Sequence, residues 1–306
     1  MKEIKTVAII GLGALGTLFG NLLSKRMGKG DLRFIADKNR IERYTNEKVY
    51  SNGEECDFHY VVPEENGSAA DLVLIAVKSL QLEAAIKAIS HQVGPDTLIL
   101  SLLNGITSEE SIAKAYGMEK VIHCVAQGMD AVKEGNRLTY QNMGKLCIGP
   151  QSGGPLPEKV QRVTAFFDQM GLPFEVDDHM KKRMWGKFML NVGVNQTVAV
   201  FGPDYEALQQ ESGQRMTMIA AMREVIALSK LEGFNLSEED LAYWLKVLAT
   251  LNPKGKPSMR QDVEAKRLSE VELFAGTVLK LAKIHNLPVP VNQMLYENIR
   301  KIEAAY

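Results

Sequence analysis

Near the N-terminus a β-branched run, Lys5 to Ile10, passes without a break into Gly11-Leu-Gly13-Ala-Leu-Gly16, and helical spacing runs from Ala14 to Met27. Three glycines at that spacing, between a strand and a helix, constrain the fold more than any other feature of the chain. Gly11 allows the tight turn, Gly13 lets the backbone approach a pyrophosphate, and Gly16 permits close packing of helix on strand. The helix then offers N–H groups and a partial positive charge to phosphates at its N-terminus. Gly11, Leu12, Gly13, Ala14, Leu15 and Gly16 are therefore candidate cofactor-binding residues. The alternative is a tight strand–helix turn that holds no ligand.

The alternation continues. Leu32–Ala36 reads as a short strand, and Lys48–Ser51 and Glu54–Val62 flank Asn52-Gly53, a hairpin turn signal. Asp71–Val77 is a continuous apolar run, as in a parallel strand covered on both faces. Leu80–Ser90 reads as helix, Thr97–Leu103 and Val121–Ala126 as strands, and two β-like segments surround Gly135-Asn136. Leu156–Met170 is a helix and Pro173–Val176 a last strand. This rhythm predicts βαβ units and a mostly parallel sheet. Beyond Asp177 only helical periodicity remains, over His179–Phe201, Tyr205–Glu232, Ser237–Leu251, Ser258–Lys266, Ser269–His285 and Asn292–Ala304. The expected fold is α/β: a Rossmann-like dinucleotide-binding domain over 1–177, then an all-α domain over 178–306. A length of 306 residues suits two domains.

Composition narrows the partners. The chain carries 36 basic and 37 acidic side chains, which leaves no strong pull on nucleic acid or an anionic membrane. No apolar run approaches the ~20 residues that span a bilayer. Cys56, Cys124 and Cys147 form no CxxC pair and read as small half-buried residues in a reducing, cytoplasmic setting. The histidines show no HxxxH or HExxH spacing, so no protein-bound metal is expected. Met180, Met184, Met189, Met216, Met218 and Met222 read as filler of a helical core.

Two further sites carry chemistry. Asp37 ends the second strand, where an acid accepts hydrogen bonds from the adenosine ribose and repels a 2′-phosphate, which favours NAD(H) over NADP(H). Lys38 and Arg40 follow at once and could hold that phosphate instead, or all three could line a solvated loop of mixed charge. In the helical half, Lys187, Asn191 and Asn195 recur every fourth residue among Trp185, Phe188, Met189, Leu190, Val192 and Val194. They project from one side of an otherwise apolar helix. A buried polar stripe needs partners, and a polar substrate could be one; the alternative is a stripe facing solvent. Burial would also ease proton transfer by the lysine. Ser258 looks like a helix cap, and Glu270 stands in the first turn of the next helix, where complementing the helix dipole is its simplest role.

These residues together resemble the ketopantoate reductase (2-dehydropantoate 2-reductase) family over essentially the whole length. The likeness rests on the glycine motif, Val77-Lys78, Asn104-Gly105, the Trp185–Asn195 helix and Ser258-Met-x-x-Asp262 with Glu270. The resemblance implies a helical domain similar to the C-terminal part of 6-phosphogluconate dehydrogenase, with substrate between the domains. It implies NADP(H) as cofactor, with NAD(H) brought in by Asp37, and reduction of a small 2-oxo acid in pantothenate synthesis. It casts Lys187 as general acid and Glu270 as its orienting carboxylate. Asn104, Asn191, Asn195 and Ser258 would then hold substrate, with Lys78 and Asn104 along the cofactor. Asp204, after Pro203, stands where the family suggests a substrate-side asparagine. A reductase of another 2-oxo acid and a β-hydroxyacid dehydrogenase share this plan. A non-catalytic NAD(P)-binding redox sensor would need no buried acid. A homodimer is compatible with the chain, whose sequence does not set the oligomeric state.

Overall fold

A computed structural model describes residues 2–65, 67–202 and 204–306. Its contacts divide the chain into two units, 1–180 and 181–306.

The first unit runs β1 (Val7–Ile10), α1 (Ala14–Ser24), β2 (Leu32–Ile35), α2 (Lys38–Glu47), β3 (Tyr50–Ser51), β4 (Glu54–Glu55), β5 (Tyr60–Val61) and β6 (Leu72–Ile75). It continues with α3 (Leu82–Ala88), β7 (Leu98–Ser101), α4 (Ser108–Tyr116), β8 (Val121–Gln127), β9 (Val132–Glu134), β10 (Arg137–Thr139), β11 (Lys145–Gly149), α5 (Glu158–Gln169) and β12 (Phe174–Val176). The main sheet has the order β12-β11-β8-β7-β6-β1-β2-β5. Every pairing from β5 through β8 is parallel, and β11 joins β8 antiparallel. Strands β1, β6 and β7 are buried at every position, which is why they read as unbroken apolar runs. The chain crosses from one half of the sheet to the other between β1 and β6, and such a reversal opens a crevice at the strands' C-terminal ends.

The register of β1 on β6 is locked at the opposite end. Asp71 Oδ2 accepts the Lys5 and Thr6 N–H groups and the Thr6 hydroxyl, each at 3.0 Å. Burial alone would raise this carboxyl, but those donors outweigh it and hold Asp71 below the usual carboxylate range.

Several expectations are corrected here. Glu54–Val62 is not one strand: β4 pairs with β3 in a small sheet of order β4-β3-β10-β9, while β5 pairs with β2 in the main sheet. The hairpin at Asn52-Gly53 exists, but the chain leaves it for a different layer. Residues 38–47, to which the sequence pattern assigned no element, form a helix, so Lys38 and Arg40 lie in its first turn and not in a solvated loop. Only Tyr44 of α2 is buried, so no apolar stripe announces it; Asp37 starts it by accepting the Arg40 N–H at 2.9 Å. Cys56, Cys124 and Cys147 are fully buried rather than half-buried.

The second unit is helical: α6 (Met180–Phe201), α7 (Glu206–Gln209), α8 (Gly213–Leu231), α9 (Glu238–Ala249), α10 (Ser258–Glu264), a π-helical turn (Glu272–Gly276), α11 (Thr277–His285) and α12 (Pro290–Glu303). Helix α6 is its axis. Trp185 stacks on Phe234 at 5.4 Å, and Phe188 lies 6.5 Å from Phe274. A methyl group at Gly186 would strike the Trp244 indole of α9, and one at Gly193 would strike Met218 and Met222 of α8, so both helices approach α6 closely. The expected Tyr205–Glu232 helix is interrupted, because Ser212 caps α8 afresh by accepting the Arg215 N–H at 3.0 Å. Among the methionines taken as core, Met216 is an exception at 69% exposed, whereas Met180, Met184, Met189, Met218 and Met222 are buried.

Candidate cofactor and catalytic sites

Strand register places the first site. Ile10 pairs with Ile35 and Ile75, and Ile75 with Ser101, so β2, β1, β6 and β7 end at one level. The segments leaving those ends carry Asp37 and Lys38, Gly11–Gly16, Lys78, and Asn104. The sheet thus brings every cofactor residue expected from the sequence to one edge of the first unit.

The glycine loop meets the demands of its motif. Gly11 has φ +95°, and a Cβ there would lie 2.6 Å from the Ala76 carbonyl oxygen. At Gly16 a Cβ would run into the Gly11 carbonyl. Gly13 differs: a Cβ would have one neighbour, Ala76 O at 3.6 Å, an ordinary contact. The protein's own packing therefore does not require glycine at 13, and its bare backbone leaves room for a ligand to approach. Gly13 is also the N-cap of α1 and supplies no side chain to the first-turn N–H groups. These N–H groups, at the positive end of the helix, suit a diphosphate. On these grounds the residues fit a dinucleotide.

Asp37 and Lys38 are exposed. With Asn39, Val62, Pro63, Glu64 and Glu65 they line an open cavity of about 540 Å³. The Asp37 carboxylate caps α2 and also lies 3.4 Å from Arg40 Nε, which draws Arg40 toward the acid. Lys78 begins the turn after β6, and Asn104 is half-buried after β7, followed by Gly105 at φ +94°. A buried chain pins the Asn104 loop: Ser101 Oγ donates to Ser108 Oγ at 2.8 Å, and Ser108 Oγ to Glu109 Oε2 at 3.0 Å. No motif marks these residues in the sequence; only their burial identifies them.

The second site lies in the second unit. Lys187 and Asn191 are half-buried and Asn195 is 6% exposed, all on one side of α6. Ser258 Oγ donates to Asn195 Oδ1 at 3.3 Å, and Asn195 Nδ2 to Asn191 Oδ1 at 3.3 Å. The structure thus joins Asn191, Asn195 and Ser258 in one chain of hydrogen bonds. Ser258 is not the cap expected of it: Pro257 precedes α10 as its N-cap, which frees the serine hydroxyl for Asn195.

Glu270 also departs from expectation. It precedes the π turn and does not sit in a first helical turn. Buried Glu303 of α12 holds the start of the segment, accepting the Ser269 N–H at 2.8 Å and the Ser269 hydroxyl at 2.6 Å. Gln196, next to Asn195 and wholly buried, accepts the Ala275 N–H at 3.1 Å with its side-chain oxygen. Its amide donates to Asn292 Oδ1 at 3.2 Å. The widened turn, of a kind frequent at functional sites, is fastened on both sides of Glu270's continuation. Sequence reasoning missed Gln196 and Glu303, because each reads as an ordinary helix residue.

An α/β unit with a phosphate-binding glycine loop, followed by a helical unit with a lysine–asparagine stripe, defines a dinucleotide-dependent oxidoreductase class. The family models described as ketopantoate reductase PanE/ApbA and its C-terminal domain match residues 7–153 and 179–303. The chain belongs to that family. It is 26% identical over 300 residues to a 2-dehydropantoate 2-reductase of Aquifex aeolicus, covering 96% of each chain. The PanE/ApbA family ketopantoate reductase structure from Ralstonia eutropha JMP134 has a TM-score of 0.82 at 24% identity, covering 98% of this chain and 99% of that one. A D-mandelate dehydrogenase solved with NADH and anilino(oxo)acetate has a TM-score of 0.85 at 22% identity with the same coverage.

Proposed function

We propose that the chain reduces 2-dehydropantoate (ketopantoate) to pantoate with a nicotinamide dinucleotide. Residues 1–177 bind the cofactor, and residues 178–306 supply the substrate and proton-donor groups. When bound, the cofactor supplies the hydride. Lys187 gives its Nζ proton to the carbonyl oxygen as that oxygen gains charge, and the ammonium stabilises the charge before transfer. Asn191, Asn195 and Ser258 hold the substrate's hydroxyl and carboxylate. Glu270 orients Lys187, and Asn104 and Lys78 position the nicotinamide end. The observation that carries this reading is the Ser258–Asn195–Asn191 chain on the same side of α6 as Lys187. Three converging polar groups beside a potential proton donor suit a small polar acid.

A second reading, an NADH-dependent reductase of another 2-oxo acid, is favoured by the acids around the cavity at Asp37, namely Glu64 and Glu65. Asp204 points the same way, since it is an acid where the family suggests a substrate-side asparagine, and it pairs with Lys254 at 3.5 Å. The D-mandelate dehydrogenase of like fold is solved with NADH.

The test is steady-state turnover of a panel of 2-oxo acids, ketopantoate included, with NADH and NADPH. Ketopantoate is expected to give the highest kcat/KM. Lys187→Ala should lower kcat by at least ~100-fold while dinucleotide binding, read by fluorescence, is retained. Near wild-type turnover in that variant would end the proton-donor assignment. Tight dinucleotide binding without turnover of any acid would point to the sensor.

A further inference from the structure

Lys133 belongs to β9, in the small sheet, and no motif includes it. Its ammonium donates to the carbonyl oxygen of Leu12, between the first two glycines of the phosphate-binding loop. It is half-buried and lies 5.9 Å from the centre of the Tyr44 ring of α2. The Arg43 guanidinium sits on the same ring at 5.2 Å. The other group acting on Lys133 is Cys56, just past β4, whose thiol burial pushes up to about 11. Below that value the thiol is neutral, so a second cation and an uncharged sulfur surround the lysine. Among the described residues no carboxylate pairs with it.

A half-buried ammonium beside another cation is costly when nothing balances it. Burial accordingly lowers Lys133 to about 8, with Arg43 acting in the same direction. The carbonyl it holds belongs to the loop that fits a diphosphate. Resting on the dinucleotide reading above, we propose that Lys133 anchors the cofactor's diphosphate, setting the glycine loop through Leu12 and adding a full positive charge to the partial charge of the helix N-terminus, since residues 11–16 carry no charged side chain. The anion missing around Lys133 is then the ligand's own. The small sheet gains a task by the same step, since it carries a cation to α1's N-terminus from a separate layer.

The sign of the pH dependence follows. An anionic ligand raises the lysine's pKa, so affinity is fully present below about 8 and falls as the free protein's Lys133 loses its proton above that value. Fluorescence titration with NADH and NADPH at about pH 7 and about pH 9.5 reads this without turnover. Wild type should weaken about tenfold between the two, the scale of one charge-assisted hydrogen bond. Lys133→Met should bind about tenfold more weakly than wild type at the lower pH and show a flat profile. Lys133→Arg should keep its affinity across the range. If Lys133→Met does not fold, judged by circular dichroism, wild type and Lys133→Arg decide: a decline in wild type alone supports the anchor, and parallel profiles overturn it. A folded Lys133→Met variant with wild-type affinity also overturns it. A wild-type chain that binds neither dinucleotide at any pH overturns the cofactor reading itself, which is a different result from tight binding indifferent to residue 133.

Discussion

Asp37 caps a helix and, on the cofactor reading proposed above, sets the choice of dinucleotide, and one substitution can separate the two. Its side chain caps α2 through the Arg40 N–H, and its charge stands at the end of β2 beside a cavity that also holds Glu64 and Glu65. Asp37→Asn keeps a capping oxygen, because asparagine caps as well as aspartate, and removes the charge. The side chain is 57% exposed, so the effective dielectric is close to that of water. Two unit charges ~4 Å apart in water repel by about 1 kcal/mol, and a 2′-phosphate carries about −1.5 to −2. The ceiling is about 2 kcal/mol; Arg40, 3.4 Å from the carboxylate, already offsets part of the charge. Asp37→Asn should therefore tighten NADPH about tenfold and move NADH less than about threefold. Equilibrium fluorescence titration measures both, and added salt should shrink the wild-type discrimination, since exposed charges are screened within about 8–10 Å. Asp37→Ala should shift specificity similarly but also lose the cap, costing about 1 kcal/mol in urea unfolding. An NADPH-to-NADH affinity ratio that stays within about threefold of wild type in Asp37→Asn would refute the assignment of discrimination to this carboxylate.

Gly16→Ala should abolish dinucleotide binding in the same titration, because the new methyl group would occupy the space of the Gly11 carbonyl and displace the loop. Retained affinity would show that the loop can yield. Glu303→Ala should destabilise the protein by about 2–3 kcal/mol in urea unfolding, since it strands the buried Ser269 N–H and hydroxyl. Asp71, held below its usual range, contributes stability present above about pH 4 and lost as pH falls through its lowered folded value. Urea unfolding across acidic pH should therefore show a flatter acid limb for Asp71→Asn, and identical acid limbs would count against the Lys5–Thr6 hydrogen bonds as the cause.

The parts of this protein legible in its sequence are those where one local requirement sets the residue. A strand buried on both faces must be apolar throughout, so β1, β6 and β7 announce themselves, and with them the sheet edge that gathers Gly11–Gly16, Lys78 and Asn104. The Lys187–Asn195 stripe is legible because helical period and burial conflict there. What escaped the sequence depends on partners distant along the chain. Helix α2 hangs on one aspartate cap, so apolar periodicity could not show it. Glu54–Val62 satisfies strand propensity along its length, and only pairing with β3 at one end and β2 at the other divides it. Ser258 has the composition of a cap, but its hydroxyl goes to Asn195, 63 positions away. Gln196 and Glu303 matter because the π turn and the Ser269 turn leave donors that something buried must accept. The candidate site is thus legible where a residue's type and spacing suit a ligand and opaque where residues hold other residues. Lys133 falls in the second group: its meaning comes from the Leu12 carbonyl, 121 positions earlier in the chain.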